Sequence, residues 1–503
     1  MLSILKKLIK HSIIYSFSNI AAKAIGVVLL PLYTKYISLS DFGILGILEV
    51  TLLIAVEFLN LGQGQSLLML NNSDEYRGKR KSMLFSIVVF SISMCALFIV
   101  LSESLLPSIS KFFAESQQFY KYLRLCIYIV SFRLLNNLFL NKLRADERPV
   151  FYTVANLTKL TLTLGFAIYF VAFAKEGITG ILYSYIISEV LTFILLLPSM
   201  ISQMSLSFDK KIISVSLKFG IPLIFGSLAM MLLNVSDRYI IKFYTDYATV
   251  GLYDLGYRIA GVLNMFLIMP FTLTLIPFAY RQYGKEGDKR YYTKIMTYLT
   301  FVLVWAGLAL SLFGKEIIKV FALNPQFWNA YYVVPVVVFS YVFFGMRIVA
   351  SLGMFLTKNT KYVAYTTTIA SLFNIGLNFW WIPKFGMMAA AYSTLVSFIL
   401  LYLITCYYSN KFYKIPFENY KLTLSIIIGV ILYLISSLVN DNGSLIRIFV
   451  KSFLLILFPL ILYAFKFYES AELLTLQNIF IKWKHPSVWK DSFIKGMKKT
   501  NNI

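Results

Sequence analysis

Long apolar blocks separated by short polar segments dominate the pattern along this chain. Most blocks hold about 20 residues, the length that an α-helix needs to cross a hydrocarbon core about 30 Å thick. Strands of a membrane barrel would instead alternate polar and apolar positions over about 10 residues. The pattern therefore predicts an all-α polytopic membrane protein with about 14 transmembrane helices. The predicted spans are residues 12–34, 42–70, 83–106, 119–142, 151–173, 178–198, 214–242, 250–279, 295–313, 331–356, 362–382, 387–408, 422–440 and 446–466.

Two pairs of sequence stretches recur at nearly the same offset. GITGILYS at residues 177–184 resembles GMMAAAYS at 386–393, and KYISLSDFGIL at 35–45 resembles KFYTDYATVGLY at 242–253. Chance similarity between apolar segments is the alternative, but a shared offset favours duplication. Two six-helix lobes related by an axis along the membrane normal are typical of transporters that alternate access to a central cleft.

The repeat divides the chain into four parts. The tail mixes leucine, isoleucine and aromatic residues with lysines, so we expect either an amphipathic helix on the membrane surface or a disordered basic segment. The predicted parts are an N-terminal six-helix lobe (1–205), a C-terminal six-helix lobe (206–410), two additional transmembrane helices (411–468) and a cytoplasmic tail (469–503).

Basic residues alternate from one connection to the next. With a cytoplasmic N-terminus, the predicted inner segments contain 29 of the 47 Lys and Arg residues, and the predicted outer connections contain only a few. This bias follows the positive-inside rule, so we expect both termini in the cytoplasm. It accounts for most of the +24 net charge without nucleic acid, because basic loops face anionic lipid.

Composition excludes several other classes. Hydrophobic residues make up 59% and charged residues 14% of the chain, against about 45–50% and 25% in soluble domains. The three cysteines lie in apolar spans, and the two histidines lie near the predicted cytoplasmic ends. Metal-site spacing, Ser-His-Asp chemistry and a P-loop motif are absent from the sequence. We therefore expect no cofactor, no metal and no enzymatic activity.

Ionisable side chains deep in the predicted spans are costly and mark function by default. A helix rise of about 1.5 Å per residue puts Lys23, Arg133 and Arg347 near the middle of their spans, too deep to reach water. Cations in a low-dielectric cleft attract anions, and guanidinium matches phosphate oxygens in bidentate fashion. The sequence therefore predicts a cationic cavity. Its candidate anion-binding residues are Lys23, Arg133, Arg347, Arg258 and Asn19, the last one turn before Lys23.

Other deep polar groups have a second interpretation. Glu57, Glu189 and Lys159 are candidates for lining the cavity or carrying a coupling ion. The alternative is that deep charges neutralise one another and join helices. The pairs that this alternative predicts are Arg238 or Arg258 with Asp237 or Asp254, and Arg133 with Glu189 or Glu57.

Helix breakers cluster in two spans. Gly220, Pro222 and Gly226 fall in the seventh span, and Pro270 and Pro277 fall in the eighth. Proline in a membrane helix kinks it and leaves a carbonyl without its intrahelical partner. A gating role for these two spans is one prediction, and a purely packing role is the other.

Three stretches together resemble bacterial polysaccharide or oligosaccharide flippases, which belong to the multidrug/oligosaccharidyl-lipid/polysaccharide exporter superfamily. LPLYTKYISLSDFG (30–43) is similar to the first-helix signature of that family. Residues 237–260 and 374–394 are similar to its patterns after the seventh helix and between helices eleven and twelve. The peptidoglycan-precursor branch typically has an Arg-Asp pair in helix one, and Asn19 with Lys23 departs from it.

The resemblance implies fourteen helices in two lobes, a cationic central cavity and a specific kind of cargo. That cargo is an undecaprenyl-diphosphate-linked sugar repeat unit, flipped between leaflets of the bacterial cytoplasmic membrane. It also implies roles for an in-membrane cation at Lys23 and for Asp237-Arg238, which we assign to lobe pairing. Asn374 and Asn378 are further candidates for polar groups of the cavity.

Partners implied by the resemblance are the lipid-linked oligosaccharide, membrane lipids, and the polymerase and glycosyltransferases of the same pathway. Two other transporters compete with this interpretation, namely a lipid II flippase and a drug/cation antiporter of the same superfamily. An antiporter for cations would place acids in the cleft, whereas cations prevail among the deep residues of this sequence.

Overall fold

The computed structural model describes residues 26–113, 117–440 and 443–469, and these residues form helices without strands. Helices prevail because lipid offers no hydrogen-bond partners to the backbone, and a helix pairs its own N–H and C=O groups. Twelve described helices are long and apolar enough to cross a membrane. They coincide with thirteen predicted spans, since 362–382 and 387–408 lie within one merged helix. The all-α polytopic fold is thus confirmed, while most of span 12–34 lies outside the described residues.

The helices of the N-terminal half surround a core of leucine, isoleucine and phenylalanine. A left-handed turn at Leu61 and Gly62 separates the second helix from the third. The helices are α1 (Leu30–Tyr36), α2 (Leu39–Asn60), α3 (Gln63–Asn71), α4 (Arg80–Phe113), α5 (Gln117–Ala145), α6 (Pro149–Ala167, continued by a π-helix at Ile168–Phe173) and α7 (Gly177–Ile201).

The C-terminal half also consists of long helices, with short helices at both its predicted outer end and its predicted inner end. Its helices are α8 (Lys210–Tyr244), α9 (Tyr247–Leu263, continued by a π-helix at Asn264–Ile268), α10 (Met269–Gln282), α11 (Asp288–Leu312), α12 (Gly314–Phe321), α13 (Val333–Ala350), α14 (Leu352–Leu356) and α15 (Lys361–Phe412). Within α15, Gly386 has φ +59° and ψ −145°, a backbone that is essentially restricted to glycine, and it bends the helix there.

Two additional helices, α16 (Asn419–Ser437) and α17 (Ser444–Ala464), pack against α11 of the C-terminal half. Ion pairs join the two helices to the C-terminal half at both ends. At one end Lys294 of α11 contacts Glu418 at 2.7 Å, and at the other Glu316 of α12 contacts Lys451 at 3.0 Å. These helices therefore form a unit with the C-terminal half.

The predicted helix breakers act differently in the two spans. Helix α8 continues through Pro222 without interruption. In the next span the helix widens into a π-turn at Asn264–Ile268, directly before Pro270. The gating role of these spans stays a prediction.

The two halves meet through helices that occupy corresponding positions in the sequence repeat, α2 and α9. Each begins with a side-chain cap, since Ser38 Oγ and Asp246 Oδ1, 208 residues apart, each accept a backbone N–H three residues on. The amide of Thr249 also holds the pKa of Asp246 below its usual range. The repeat is thus visible in local structure, although the lobe boundaries stay a prediction.

Glycines allow the halves to touch backbone to backbone at two levels. A Cβ on Gly251 of α9 would lie 2.5 Å from the carbonyl oxygen of Leu39, and a Cβ on Gly43 of α2 would meet the carbonyl of Tyr247. Further along, a Cβ on Gly220 of α8 would lie 2.5 Å from the carbonyl oxygen of Leu61. Small residues at such crossings permit close approach of membrane helices.

We expect Gly251→Ala to destabilise the protein by about 1–3 kcal/mol, because the added methyl must push α2 away. Gly165→Ala is the matched control, since a Cβ there meets nothing within 4 Å. Alanine also has the better helix propensity, so the control should be neutral or stabilising. Apparent melting temperatures in detergent measure both. Equal shifts in the two variants would contradict the close packing of α2 on α9.

Candidate functional site

A buried carboxylate gathers two cations inside the N-terminal half. Glu189 of α7 is fully buried, and its carboxylate accepts hydrogen bonds from Arg133 Nε at 2.7 Å and from Asn136 Nδ2 at 2.8 Å. Lys159 Nζ of α6 also lies 2.7 Å from Glu189 Oε1. The predicted Arg133–Glu189 pair is present, but it includes a second cation. This Glu189 cluster therefore carries one net positive charge.

Arg258 lies between the two halves and is held by two carboxylates. Its Nη2 donates to Glu49 Oε2 of α2 at 2.6 Å, and its Nε donates to Asp254 Oδ2 at 2.6 Å. Tyr185 of α7 donates to the other oxygen of Glu49 at 2.5 Å. The contact between Arg258 and Glu49 joins the N-terminal half to α9. The role of Arg258 in anion binding stays a prediction.

Asp237 and Arg238 of α8 pair within the C-terminal half. Arg238 Nε donates to Asp254 Oδ1 at 3.1 Å, which joins α8 to α9 as the alternative interpretation predicts. Asp237 Oδ2 accepts hydrogen bonds from Tyr253 and from Thr394, while its Oδ1 is buried without a hydrogen bond. These residues join three helices of one half, and their predicted role in lobe pairing stays a prediction.

Arg347 of α13 is the exception to this pairing. The residue is 9% exposed, its Nη2 donates to Thr367 Oγ1 at 3.2 Å, and its Nε has no hydrogen-bond partner. Within the described ranges no carboxylate forms an ion pair with it. Moving an unpaired cation out of water costs several kcal/mol. Arg347 is therefore a candidate position for an anion.

A stripe of buried polar residues runs along α15 beside Arg347. Thr367, Ser371, Asn374 and Asn378 recur at spacings of four, three and four residues, which puts them on one helix face. Asn378 Nδ2 donates to Asn374 Oδ1 at 3.1 Å, whereas Asn374 Nδ2 and Asn378 Oδ1 are buried without partners. The two asparagines predicted as cavity groups thus lie in one polar stripe with Thr367, the partner of Arg347.

Of the remaining predicted residues, the structure describes Glu57 but not Lys23 or Asn19. Glu57 of α2 accepts a hydrogen bond from Ser227 of α8 at 2.6 Å, so it also links the two halves. Lys23 and Asn19 lie outside the described residues. Their predicted role in anion binding stays a prediction.

Sequence reasoning missed Glu49, although a signal was available. Glu49 precedes Glu57 by eight residues in the same apolar span, so both acids fall on nearly one face of a helix. Counting Glu49 and Asp254 among the described charges of this region gives five cations and five carboxylates. The cations are Arg133, Lys159, Arg238, Arg258 and Arg347, and the carboxylates are Glu49, Glu57, Glu189, Asp237 and Asp254. Positive charge is thus concentrated locally, at Arg347 and the Glu189 cluster.

We expect Glu189→Gln to cost about 3–5 kcal/mol of stability, because it leaves two buried cations without a counter-charge. Glu103→Gln is the control, since its pair with Arg124 is exposed and should contribute at most about 1 kcal/mol. The second change Lys159→Met should restore much of the loss by removing one cation. Melting temperatures in detergent test the series, and a Glu189→Gln effect as small as the control would refute the buried cluster.

Comparisons with known proteins agree with this fold. Residues 8–282 match the family described as "Polysaccharide biosynthesis protein". The probable low-salt glycan biosynthesis flippase Agl15 of Haloferax volcanii is 22% identical over 224 residues, 43% of this chain and 47% of that protein. An uncharacterized membrane protein of Methanocaldococcus jannaschii is 22% identical over 238 residues, 44% of each chain. The chain therefore matches less than half the length of these two relatives.

Two solved structures share the architecture. The lipid II flippase MurJ in an inward closed conformation superposes with a TM-score of 0.72 at 17% identity, covering 92% of this chain and 100% of that one. A multidrug resistance MATE family transporter in an inward-facing conformation gives 0.61 at 14% identity, covering 78% and 94%. At these identities the likeness shows the fold alone. Because the family match spans more than half of the chain, this multi-pass membrane protein belongs to the polysaccharide biosynthesis protein family, and its resemblance to the polysaccharide flippases of the exporter superfamily is confirmed.

Proposed function

We propose that this protein flips an undecaprenyl-diphosphate-linked oligosaccharide repeat unit from the cytoplasmic to the outer leaflet. Membership in the polysaccharide biosynthesis family supports a lipid-linked sugar as cargo. The observation that carries the proposal is the buried guanidinium of Arg347, which has a hydroxyl partner and no carboxylate partner within the described residues. Transport rather than catalysis is the activity, since the cargo changes leaflet without a bond being made or broken.

The Arg347 side chain is suited to a phosphate for two reasons. Its Nε is a donor with no acceptor, and a guanidinium binds phosphate oxygens through parallel N–H donors. An unpaired cation at this depth also carries a desolvation penalty that an anionic cargo offsets only while it is bound. Binding energy is therefore available at Arg347 that a neutral lipid would not obtain.

The Glu189 cluster offers a second cationic position in the other half. Arg133 and Lys159 share one carboxylate, and their side chains are 21% and 25% exposed, so each keeps donors for a further ligand. One cationic position in each half lets an anion between the halves contact both. Sugars would fill the remaining space, and the lipid chain would stay in the bilayer.

Lobe rocking supplies the movement in this proposal. Outward opening must separate α2 from α9, which breaks the contact between Arg258 and Glu49 but keeps the one between Arg258 and Asp254. Arg258 then has free donors in the open cleft. A membrane potential that is negative inside favours outward movement of an anion by about 2.3 kcal/mol per charge per 100 mV. A coupling ion at Glu57 or Glu189 is an alternative source of energy.

Location and partners follow from the same proposal. The protein acts in the bacterial cytoplasmic membrane with both termini in the cytoplasm, as the distribution of basic loops predicts. Glycosyltransferases supply the lipid-linked unit on the inner face. A polymerase of the pathway consumes it on the outer face.

We expect Arg347→Ala to abolish most surface polysaccharide and to accumulate the lipid-linked unit on the cytoplasmic face. Arg347→Lys keeps the charge but loses the bidentate donors, so export should fall about tenfold rather than completely. The control is Arg124→Ala, which removes an exposed guanidinium. Pulse-labelled polysaccharide, with periplasmic accessibility of the lipid-linked intermediate, measures both steps. Normal export with Arg347→Ala at wild-type protein levels would refute the anion-binding role.

The same strains separate sugar export from lipid II flipping. If the cargo is a polysaccharide unit, translocation of the peptidoglycan precursor should be unchanged in every variant. Loss of precursor translocation in Arg347→Ala, with polysaccharide export intact, would reassign the cargo to lipid II.

A further inference from the structure

A second cationic site lies away from the contact between the halves. It is a cavity of about 460 Å³ at the predicted cytoplasmic end of the N-terminal half. Four basic residues line it, namely Arg80 and Lys81 at the start of α4, Lys142 near the end of α5, and Arg148 directly before α6. We name this cavity the basic pocket.

Charge in the basic pocket is only partly compensated. Lys142 is 3% exposed and donates to Asp146 Oδ1 at 2.5 Å and to Asn71 Oδ1 at 3.1 Å. Arg80, Lys81 and Arg148 form no ion pair with any residue that the structure describes. Two acids, Asp146 and Glu147, therefore face four cations, and two positive charges remain.

Backbone geometry adds to this positive potential. Helix α6 begins at the pocket, directly after Arg148, and the N-terminus of a helix attracts anions. Glu147 has φ +53°, in the left-handed region that favours glycine, and Arg148 N–H closes the turn on Leu143 O at 2.9 Å. This turn reverses the chain within a few residues and brings Arg148 back beside the end of α5.

The depth of the basic pocket indicates the kind of anion. Its residues lie at the ends of four membrane-spanning helices, the level at which lipid headgroups meet the protein. Basic pockets between transmembrane helices at the cytoplasmic side bind lipid phosphates.

We propose that the basic pocket binds the phosphate group of a lipid. Arg80, Lys81 and Arg148 would donate hydrogen bonds to it, and the buried ammonium of Lys142 would lie at the bottom of the pocket. The phosphate has two sources, an anionic phospholipid of the bilayer or the diphosphate of the lipid-linked cargo before it enters the cleft. The second source rests on the proposed function. Asn71, which lines the pocket, ends α3, and α3 contacts α8 through Ser66 and Ser216, so an occupied pocket would bear on the contact between the halves.

Binding of dioleoyl-phosphatidylglycerol to the purified full chain tests the proposal. The double variant R80Q/R148Q should bind this lipid about thirtyfold more weakly than wild type, because each of the two charges near the surface contributes about 1 kcal/mol. The matched control is K285Q/R290Q, which removes two exposed cations of another predicted cytoplasmic loop and should change binding less than twofold. Phosphatidylcholine should bind equally to all three proteins. Equal phosphatidylglycerol binding by all three proteins would overturn the proposal.

Headgroup crosslinking covers the case in which the double variant fails to fold. A photoactivatable phosphatidylglycerol should label wild-type peptides that contain residues 71–81 or 142–148, and labelling only elsewhere would overturn the site. Competition separates the sources. A polyprenyl diphosphate that displaces phosphatidylglycerol, together with lost export in R80Q/R148Q, indicates the cargo. No displacement with normal export indicates a resident phospholipid. Both outcomes support the pocket independently of the Arg347 experiment.

Discussion

A charge held at bilayer depth must find a counter-charge or a ligand, and this requirement organises the interior of the protein. Water cannot solvate the side chain there, so an unpaired ion costs several kcal/mol. Most of the described deep charges meet the requirement by pairing, around Glu189 in one half and around Asp254 between α8 and α9. Arg347 meets it only with a hydroxyl. The contrast separates the charged groups that join helices from Arg347, for which we propose an anionic ligand.

The same pairs also determine how the halves fit together. The Glu49–Arg258 contact lies one to two helical turns from the glycine contact of Gly43 with α9, and Glu57 with Ser227 follows further along α2. Close backbone packing excludes lipid from this seam, and a low dielectric then strengthens the ion pair. Helix α2 therefore contributes several of the described contacts between the halves, and the proposed lobe rocking would have to break some of them.

Much of the fold could be predicted from the sequence, because membrane helices leave a strong local signal. Spans of about 20 apolar residues mark the helices, and the resemblance between residues 35–45 and 242–253 anticipates the corresponding caps at Ser38 and Asp246. Pairing is a tertiary property, however. Asp254 precedes Arg258 by one helical turn, so that pair could be predicted, whereas its second partner, Glu49, lies in the other half. No local signal shows that Arg347 contacts no carboxylate among the described residues. The predicted excess of cations was likewise too large, because it left out Glu49 and Asp254, and the cation that pairs with Glu49 lies 209 positions away.

Attachment of α16 and α17 to the C-terminal half makes the two bodies of the proposed lobe rocking unequal in size. Ion pairs from Lys294 and Glu316 fasten both helices to the C-terminal half, which therefore displaces more annular lipid whenever it turns. Viscous drag in a bilayer grows with the dimensions of the rotating body. If the halves rock as proposed, the N-terminal half should turn through the larger angle and the C-terminal half through the smaller one.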